Sequence, residues 1–342
     1  MLGASGFAGA ELLRRLLPHP QVEIVRVGAK DHVGQNVAAA HPNLEGVSDL
    51  VFQDLPAPEA IAGADVVIMG LPVAASLEVV AAAEATGAKI IDMSGAFRVP
   101  DAAAFERYYG APHPRPELLG QFVYGLPELN RGKIRGARYV ASPGCFATCI
   151  ELGLLPLAEA GWLEGTVEVV GITGSSGAGA APVPTTHHPV RANNLRTYKP
   201  LEHQHTPEIV AALNSAGGQL SALHFVPVSA PLARGIFATS FVQVPASVGE
   251  GELRERYAKR YAGERFVRLP QARLPEVVAV SGSPYAEVGF ALGPVAGERR
   301  LVTVFSALDN LIKGGAGQAI QSLNLMLGAP EATGIDELGP YP

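Results

Sequence analysis

Cys145 and Cys149 stand four positions apart in YVASPGCFATCIELGLLPL, and His203 and His205 two apart in LEHQHTPEIV. A thiol beside an imidazole is the pairing of nucleophilic catalysis: the thiolate attacks an acyl carbon and the imidazole moves the proton. Pro143-Gly144 punctuates the chain, and an apolar helical pattern starts directly after it, which sets Cys145 at or near a helix N-terminus. There the helix dipole and the first-turn N–H groups favour an anion and lower a thiol pKa from its usual value of about 8.5. Cys149, among Ile150, Leu152 and Leu154, reads as core. Position alone leaves Cys145 open between a working thiolate and inert packing. A disulfide within one helical turn is geometrically poor, so reduced thiols are expected.

Either His203 or His205 could serve Cys145 as general acid or base. Thr206 reads as the cap of the helix that follows them, with Pro207 at its first position. No further ligand at suitable spacing completes a set, and no metal is expected. His187 and His188 read as parts of a surface loop. Arg98, Arg196, Lys199 and Arg234 are candidates for binding an anion, since a guanidinium fork matches phosphate or carboxylate. Arg234, set among apolar residues, is the least like a solvated charge.

The elements that must position these groups begin at the N-terminus. Gly3-Ala4-Ser5-Gly6-Phe7-Ala8-Gly9 is a GxxGxxG turn running into a helix whose Leu12, Leu13, Leu16 and Leu17 recur with helical period. Such a turn lets backbone approach a pyrophosphate, with the helix dipole behind it; the plain alternative is a tight turn without ligand. Only Met1 and Leu2 precede it, so the usual first strand is almost absent and a few residues are expected to be missing before it. Strands at 22–29, 64–72 and 89–95 and a helix at 76–87 give a βα alternation, hence a doubly wound parallel sheet. Gly28, Ala29 and Lys30 follow the second strand before any acid. Lys30 would meet a 2′-phosphate, which favours NADP, although Asp31 follows directly and a solvated lysine is the plain reading.

Residues 99–130 read as an irregular cover over a site. After the cysteine helix (145–161) come a strand at 166–179 ending in the glycine-rich GITGSSGAGA, a polar loop to about 205, antiparallel strands across 223–244, strands at EVVAVSGS, AEVGFAL and RRLVTVFSALDN, and a last helix at 315–328.

A chain of 342 residues implies two domains. Hydrophobic residues at 48% and charged residues at 17% mark an ordered protein, and a formal charge of -6 argues against nucleic acid held through many phosphate contacts. No apolar run is long enough for a membrane span and no signal peptide is visible, so a cytoplasmic location is expected.

Together the motifs resemble the N-acetyl-γ-glutamyl-phosphate reductases of arginine synthesis and their relatives that reduce aminoadipyl phosphate tethered to an amino-group carrier protein in lysine synthesis. GASGFAG, LP at 71–72, DMSGAFR, YGLPELN, SPGCFAT, GSSGAGA, HQHTPEI, PLARGI, YAEVGF and DNLIKGGAGQAIQSLN follow one another in order over nearly the whole chain. The resemblance implies an α/β fold like the aspartate-semialdehyde and glyceraldehyde-3-phosphate dehydrogenases. A Rossmann-type NADP domain would comprise residues 1–144 with 309–342 returning, and a mixed-sheet substrate and dimerisation domain residues 145–308. It implies that Cys145 attacks an acyl phosphate, phosphate leaves, and NADPH reduces the thioester to a semialdehyde. His205 would be the acid/base, with His203 in reserve. Cofactor contacts would come from Gly3, Ser5, Gly6, Phe7, Ala8, Gly28, Ala29, Lys30, Leu71, Pro72, Ser175, Gly177 and Asn310, and substrate contacts from Arg98 and Arg234. A homodimer or homotetramer is expected.

Three departures from the family pattern stand out: the short first strand, Gln204 where arginine is common, and Gly95-Ala96 in place of Ala-Asp. THHPVRANNLRTYKP is closer to the lysine-type relatives, while the negative overall charge fits an acidic carrier poorly; both substrates stay open. A cysteine hydrolase and a dinucleotide-sensing regulatory protein are the alternatives, the first without need of the glycine-rich turn, the second with an unreactive Cys145.

Overall fold

The computed structural model describes residues 1–341, which fall into two compact units. The first comprises Met1–Glu106, Ala111–Pro143 and Gly315–Asp336; the second comprises Arg107–Gly110, Gly144–Gly314 and residues 337–341. The segment grouped with the first unit is Gly315–Asp336, whereas residues 309–314 and 337–341 group with the second.

In the first unit, β3 (Val66–Met69), β4 (Lys89–Asp92), β5 (Val123–Tyr124) and β6 (Tyr139–Ala141) form a parallel sheet in the order β3-β4-β6-β5. Beside it β1 (Val27–Gly28) pairs in parallel with β2 (Phe52–Gln53). Leu2 makes one parallel bridge to Gly28 and another to Met69, so this single residue joins the two sheets. The strands are apolar on both faces, as parallel strands under helices must be: Val67, Ile68, Met69, Ile90 and Ile91 are all buried. The strand expected over 22–29 forms only at Val27–Gly28, where β2 and Leu2 pair with it, and 22–26 has no ladder partner among the described residues. The expected cover at 99–130 holds the helix Ala102–Tyr109 and the start of the helix Pro127–Arg135. Its core is aromatic: Phe97 stacks on Phe122 at 4.0 Å, and Phe122 on Tyr139 at 5.1 Å. The helix Gly317–Leu327 is buried along almost its whole length and is tied in by His19 Nε2 to Asn324 Oδ1 at 3.0 Å and by Lys89 donating to the Met326 carbonyl at 3.1 Å.

The second unit is built on a seven-stranded sheet in the order β11-β12-β13-β10-β7-β9-β8. These are β7 (Glu164–Thr173), β8 (Arg196–Thr197), β9 (Gln219–Ser229), β10 (Ile236–Pro245), β11 (Val267–Arg268), β12 (Ala286–Ala296) and β13 (Arg299–Leu308). Consecutive β9 and β10 do not pair with each other. β7 lies between them, parallel to β9 and antiparallel to β10, so the two antiparallel neighbours expected across 223–244 are separated. EVVAVSGS forms turns rather than a strand. The helix Cys145–Glu159 covers one sheet face; every residue from Phe146 to Ala158 is buried, and Tyr257 and Tyr261 donate hydroxyl hydrogen bonds to its Gly153 and Leu152 carbonyls.

Candidate active site

In the second unit Cys145 is the first residue of its helix, with Gly144 as N-cap in extended conformation (φ -68°, ψ 150°). Both cysteines are reduced thiols, Cys145 half-buried and Cys149 buried. Glu208, fully buried, accepts a hydrogen bond from the Gly144 N–H at 3.1 Å and has its other oxygen 4.0 Å from His205 Nε2. A Cβ at Gly144 would lie 2.3 Å from His205 Nε2, so the imidazole packs directly on the backbone that delivers the thiol. Glycine is required there for lack of space, since the φ is ordinary. A Cβ at Gly314 would lie 2.8 Å from Cys145 Cβ, which brings the turn after Asp309 against the same residue.

His205, not Thr206, is the N-cap of the helix Thr206–Ser215. Thr206 is its first residue, and Pro207 stands one position later than expected. The rings of His203 and His205 meet edge to face at 4.6 Å, and Phe146 packs on both. Their chemistry differs. His203 Nδ1 accepts the His205 backbone N–H at 3.2 Å, and burial with the nearby Lys199 ammonium brings its pKa down to about 4. It is therefore neutral at physiological pH and anchors the residue beside Gly144. Lys199 donates to Gln204 Oε1 at 3.2 Å. His187 and His188 are exposed.

The glycine-rich turn after β7 lies in the same unit. Asn310 donates to Ser176 Oγ at 3.0 Å and accepts from the Gly235 N–H at 2.7 Å, while a Cβ at Gly177 would be 3.9 Å from Asn310 Nδ2. Ser175 N–H bonds to the Leu232 carbonyl. Arg234 lies 3.6 Å from the fully buried Asp309, whose carboxylate also accepts the Gly282, Leu311 and Ile312 N–H groups. Arg234 is therefore an ion-pair partner of a turn-forming aspartate.

In the first unit the glycine pattern fits a dinucleotide turn. Gly3 has φ +80°, and a Cβ there would lie 2.5 Å from the Gly70 carbonyl oxygen. A Cβ at Gly9 would lie 2.2 Å from the Ala4 carbonyl oxygen, whereas at Gly6 the nearest atom would be 3.8 Å away. The first glycine makes the turn, the third lets the helix close on it, and the second leaves backbone open to a pyrophosphate. The helix Phe7–Leu16 has no side-chain cap and no acidic residue in its first turn, as an anion site requires. Phe7 is exposed, with Ser5 and Ala8 half-buried. Gly3 and Ala4 N–H both bond to the Gly28 carbonyl, which draws Gly28 and Ala29 to this turn, and Leu71-Pro72 follows the Gly70 that Gly3 touches. Lys30 pairs with Asp54 at 2.7 Å, both exposed. Arg98 donates to the Ser142 carbonyl at 2.7 Å and the Met93 carbonyl at 2.6 Å, and so clamps the strand leading towards Cys145.

Sequence reasoning passed over Glu208 and Asp309. The signal for Glu208 was its place three residues after His205, on the same face of a helix start; for Asp309 it was the acid-amide pair opening a glycine-rich turn.

The family model of the semialdehyde dehydrogenase NAD-binding domain matches residues 1–137, and that of the semialdehyde dehydrogenase dimerisation domain matches residues 145–310. An N-acetyl-gamma-glutamyl-phosphate reductase of Symbiobacterium thermophilum is 40% identical over 99% of this chain and 98% of its own length. A LysW-L-2-aminoadipate 6-phosphate reductase of Deinococcus radiodurans is 39% identical over 100% of this chain and 97% of its own. The crystal structure of aspartate semialdehyde dehydrogenase II from Vibrio cholerae shares the fold at a TM-score of 0.70 and 16% identity, covering 96% of this chain and 97% of that one. The chain belongs to the semialdehyde dehydrogenase family, in the group that includes the N-acetyl-gamma-glutamyl-phosphate and LysW-aminoadipate phosphate reductases.

Proposed function

We propose that this chain reduces an acyl phosphate to a semialdehyde with NADPH, through a thioester on Cys145. The observation that carries the reading is the placement of Cys145 at a helix start whose N-cap glycine is packed by His205 and hydrogen-bonded to Glu208. The Cys145 thiolate attacks the acyl carbon, and the bond to phosphate breaks with its electron pair leaving on phosphate. The first-turn N–H groups of the helix face the negative charge that develops on the acyl oxygen. NADPH, when bound, supplies the hydride that the thioester carbon accepts. His205 protonates the resulting oxyanion to a hemithioacetal and takes that proton back as the C–S bond breaks, so that the aldehyde forms and Cys145 leaves as the thiolate with no net proton transferred. His203, neutral and bonded to the His205 backbone, holds that imidazole in place.

Gly3, Ser5, Gly6, Phe7 and Ala8 would hold the pyrophosphate, with Gly28, Ala29, Leu71 and Pro72 beside them. Ser175, Gly177 and Asn310 would face the nicotinamide end. Lys30 would meet the 2′-phosphate after leaving Asp54, and this exchange is the basis for preferring NADP. The acyl group is N-acetyl-γ-glutamyl phosphate or carrier-bound α-aminoadipyl 6-phosphate. His187, His188, Arg196 and Lys199 are exposed along 187–199, a stretch without any acid, which supports an acidic carrier protein as the presenting partner. The sheet face opposite the cysteine helix exposes Val170 and Phe241, each 37% accessible, beside the Phe237–Phe305 ring pair, and a second copy covering it gives a homodimer.

Phosphate-dependent reduction of NADP by N-acetylglutamate semialdehyde tests the reading, beside the same assay with carrier-bound aminoadipate semialdehyde. Turnover with either, lost in Cys145→Ala, supports it; no turnover with both overturns it.

A further inference from the structure

Arg191 ends a one-turn helix in the loop that follows the glycine-rich turn. One of its Nη atoms donates to Ser229 Oγ and the other to the Thr173 carbonyl at 3.2 Å. Thr173 and Ser229 are register partners at the C-terminal ends of β7 and β9, so the guanidinium is braced across two strand ends. Its Nε is buried without a hydrogen-bond partner among the described residues. No carboxylate lies within ion-pair distance among those residues, and the chain contains no Asp or Glu from Val169 to Leu201. Arg234, by contrast, has Asp309. Burial lowers the Arg191 pKa, an effect that Tyr198 partly offsets and Arg196 adds to. A partly desolvated cation with only neutral acceptors is costly unless an anion completes it. Arg196, the register partner of the same Ser229, leads two residues on to Tyr198, whose ring meets that of His203 at 5.8 Å, and His203 in turn meets His205 at 4.6 Å, so the braced guanidinium lies on the strand ends that run to the histidine pair.

We propose that Arg191 is a specificity-determining residue that binds the α-carboxylate of the substrate, the anion remote from the acyl carbon attacked by Cys145. The inference rests on the acyl-phosphate reductase reading. A braced guanidinium suits a group that stays bound through both half-reactions, whereas phosphate must leave between them. The α-carboxylate beside an acylated nitrogen is common to N-acetylglutamyl and carrier-linked aminoadipyl substrates, so one arginine serves either.

The test is the reverse reaction with N-acetylglutamate semialdehyde and phosphate varied separately, in wild type, Arg191→Gln, Arg191→Lys and Ser229→Ala. Arg191→Gln is expected to raise the KM for semialdehyde by about ten- to a hundredfold, the loss of a charge-assisted contact, with the KM for phosphate within about twofold. Arg191→Lys recovers part of the loss, and Ser229→Ala, which keeps the guanidinium, changes either KM by less than about threefold. A rise in phosphate KM alone, no change in either, or Ser229→Ala matching Arg191→Gln overturns the assignment. If wild type does not turn over this semialdehyde, protection of Cys145 from iodoacetamide by millimolar N-acetylglutamate decides separately. Protection in wild type but not in Arg191→Gln supports the site; equal protection, or none, in both proteins overturns it.

Discussion

The first and second turns of the helix Cys145–Glu159 each hold a cysteine, and only the surroundings differ. At the first turn the backbone is unsatisfied by the helix itself, so Gly144 N–H turns to Glu208 and the His205 ring fills the space a side chain would need. At the second turn Cys149 donates to Ser306 Oγ at 3.3 Å, and burial pushes its thiol up to about 12. On the proposed reading the same residue type is a nucleophile where helix geometry leaves donors over, and it is packing where helix geometry does not.

Breaking the first turn should have the largest effect. Cys145→Ala is expected to lower kcat by about four orders of magnitude or more, and Cys149→Ala to leave it within about threefold, both read in the reverse assay. His205→Asn should cost about a hundred- to ten-thousandfold in kcat as the proton carrier is lost. His203→Asn should cost less and act on stability instead. The His203 pKa is depressed to about 4 in the fold from 6.5 unfolded, so its stabilisation is complete above pH 6.5 and is lost as pH falls towards 4. A loss of at most about 3 kcal/mol is expected over that window, measured by denaturant titration, and the Asn variant should show a flatter profile.

Gly144→Ala sharpens the comparison without removing any functional group. The added methyl must displace the His205 ring, so kcat should fall while alkylation of Cys145 by iodoacetamide persists; mass mapping of the native protein should find Cys149 unmodified. The smallest effect belongs to Lys30→Ala, which breaks an exposed ion pair. Stability should move by less than about 0.5 kcal/mol, and the readout that matters is the KM for NADPH against NADH. An unchanged cofactor preference would remove Lys30 from the 2′-phosphate site.

Much of the site was legible because its parts are local. A glycine-rich turn before a periodic apolar run, and Pro-Gly before a cysteine helix, are read over ten residues. Short-range periodicity also located β3, β4 and β7, but not the neighbours of β9 and β10, since insertion of β7 between them is a pairing over more than fifty residues. The role of Arg98 was hidden for the same reason: its partner Ser142 is 44 residues away, and only the folded sheet shows that its donors are taken by backbone. Arg191 was passed over because an arginine in a polar loop looks solvated until the strand ends that brace it are known.

The chain order of the first unit also bears on synthesis. The unit needs Gly315–Asp336, where Asn324 meets His19 and Glu331 meets Arg131, whereas most of the second unit is contained in 144–314. As the chain leaves the ribosome, the nucleotide-binding half, although begun earlier, is left without one of its buried helices until 315–336 emerges, while the half that carries Cys145 already has nearly all of its parts. Truncation before residue 315 should therefore leave the earlier-made half as the aggregation-prone one.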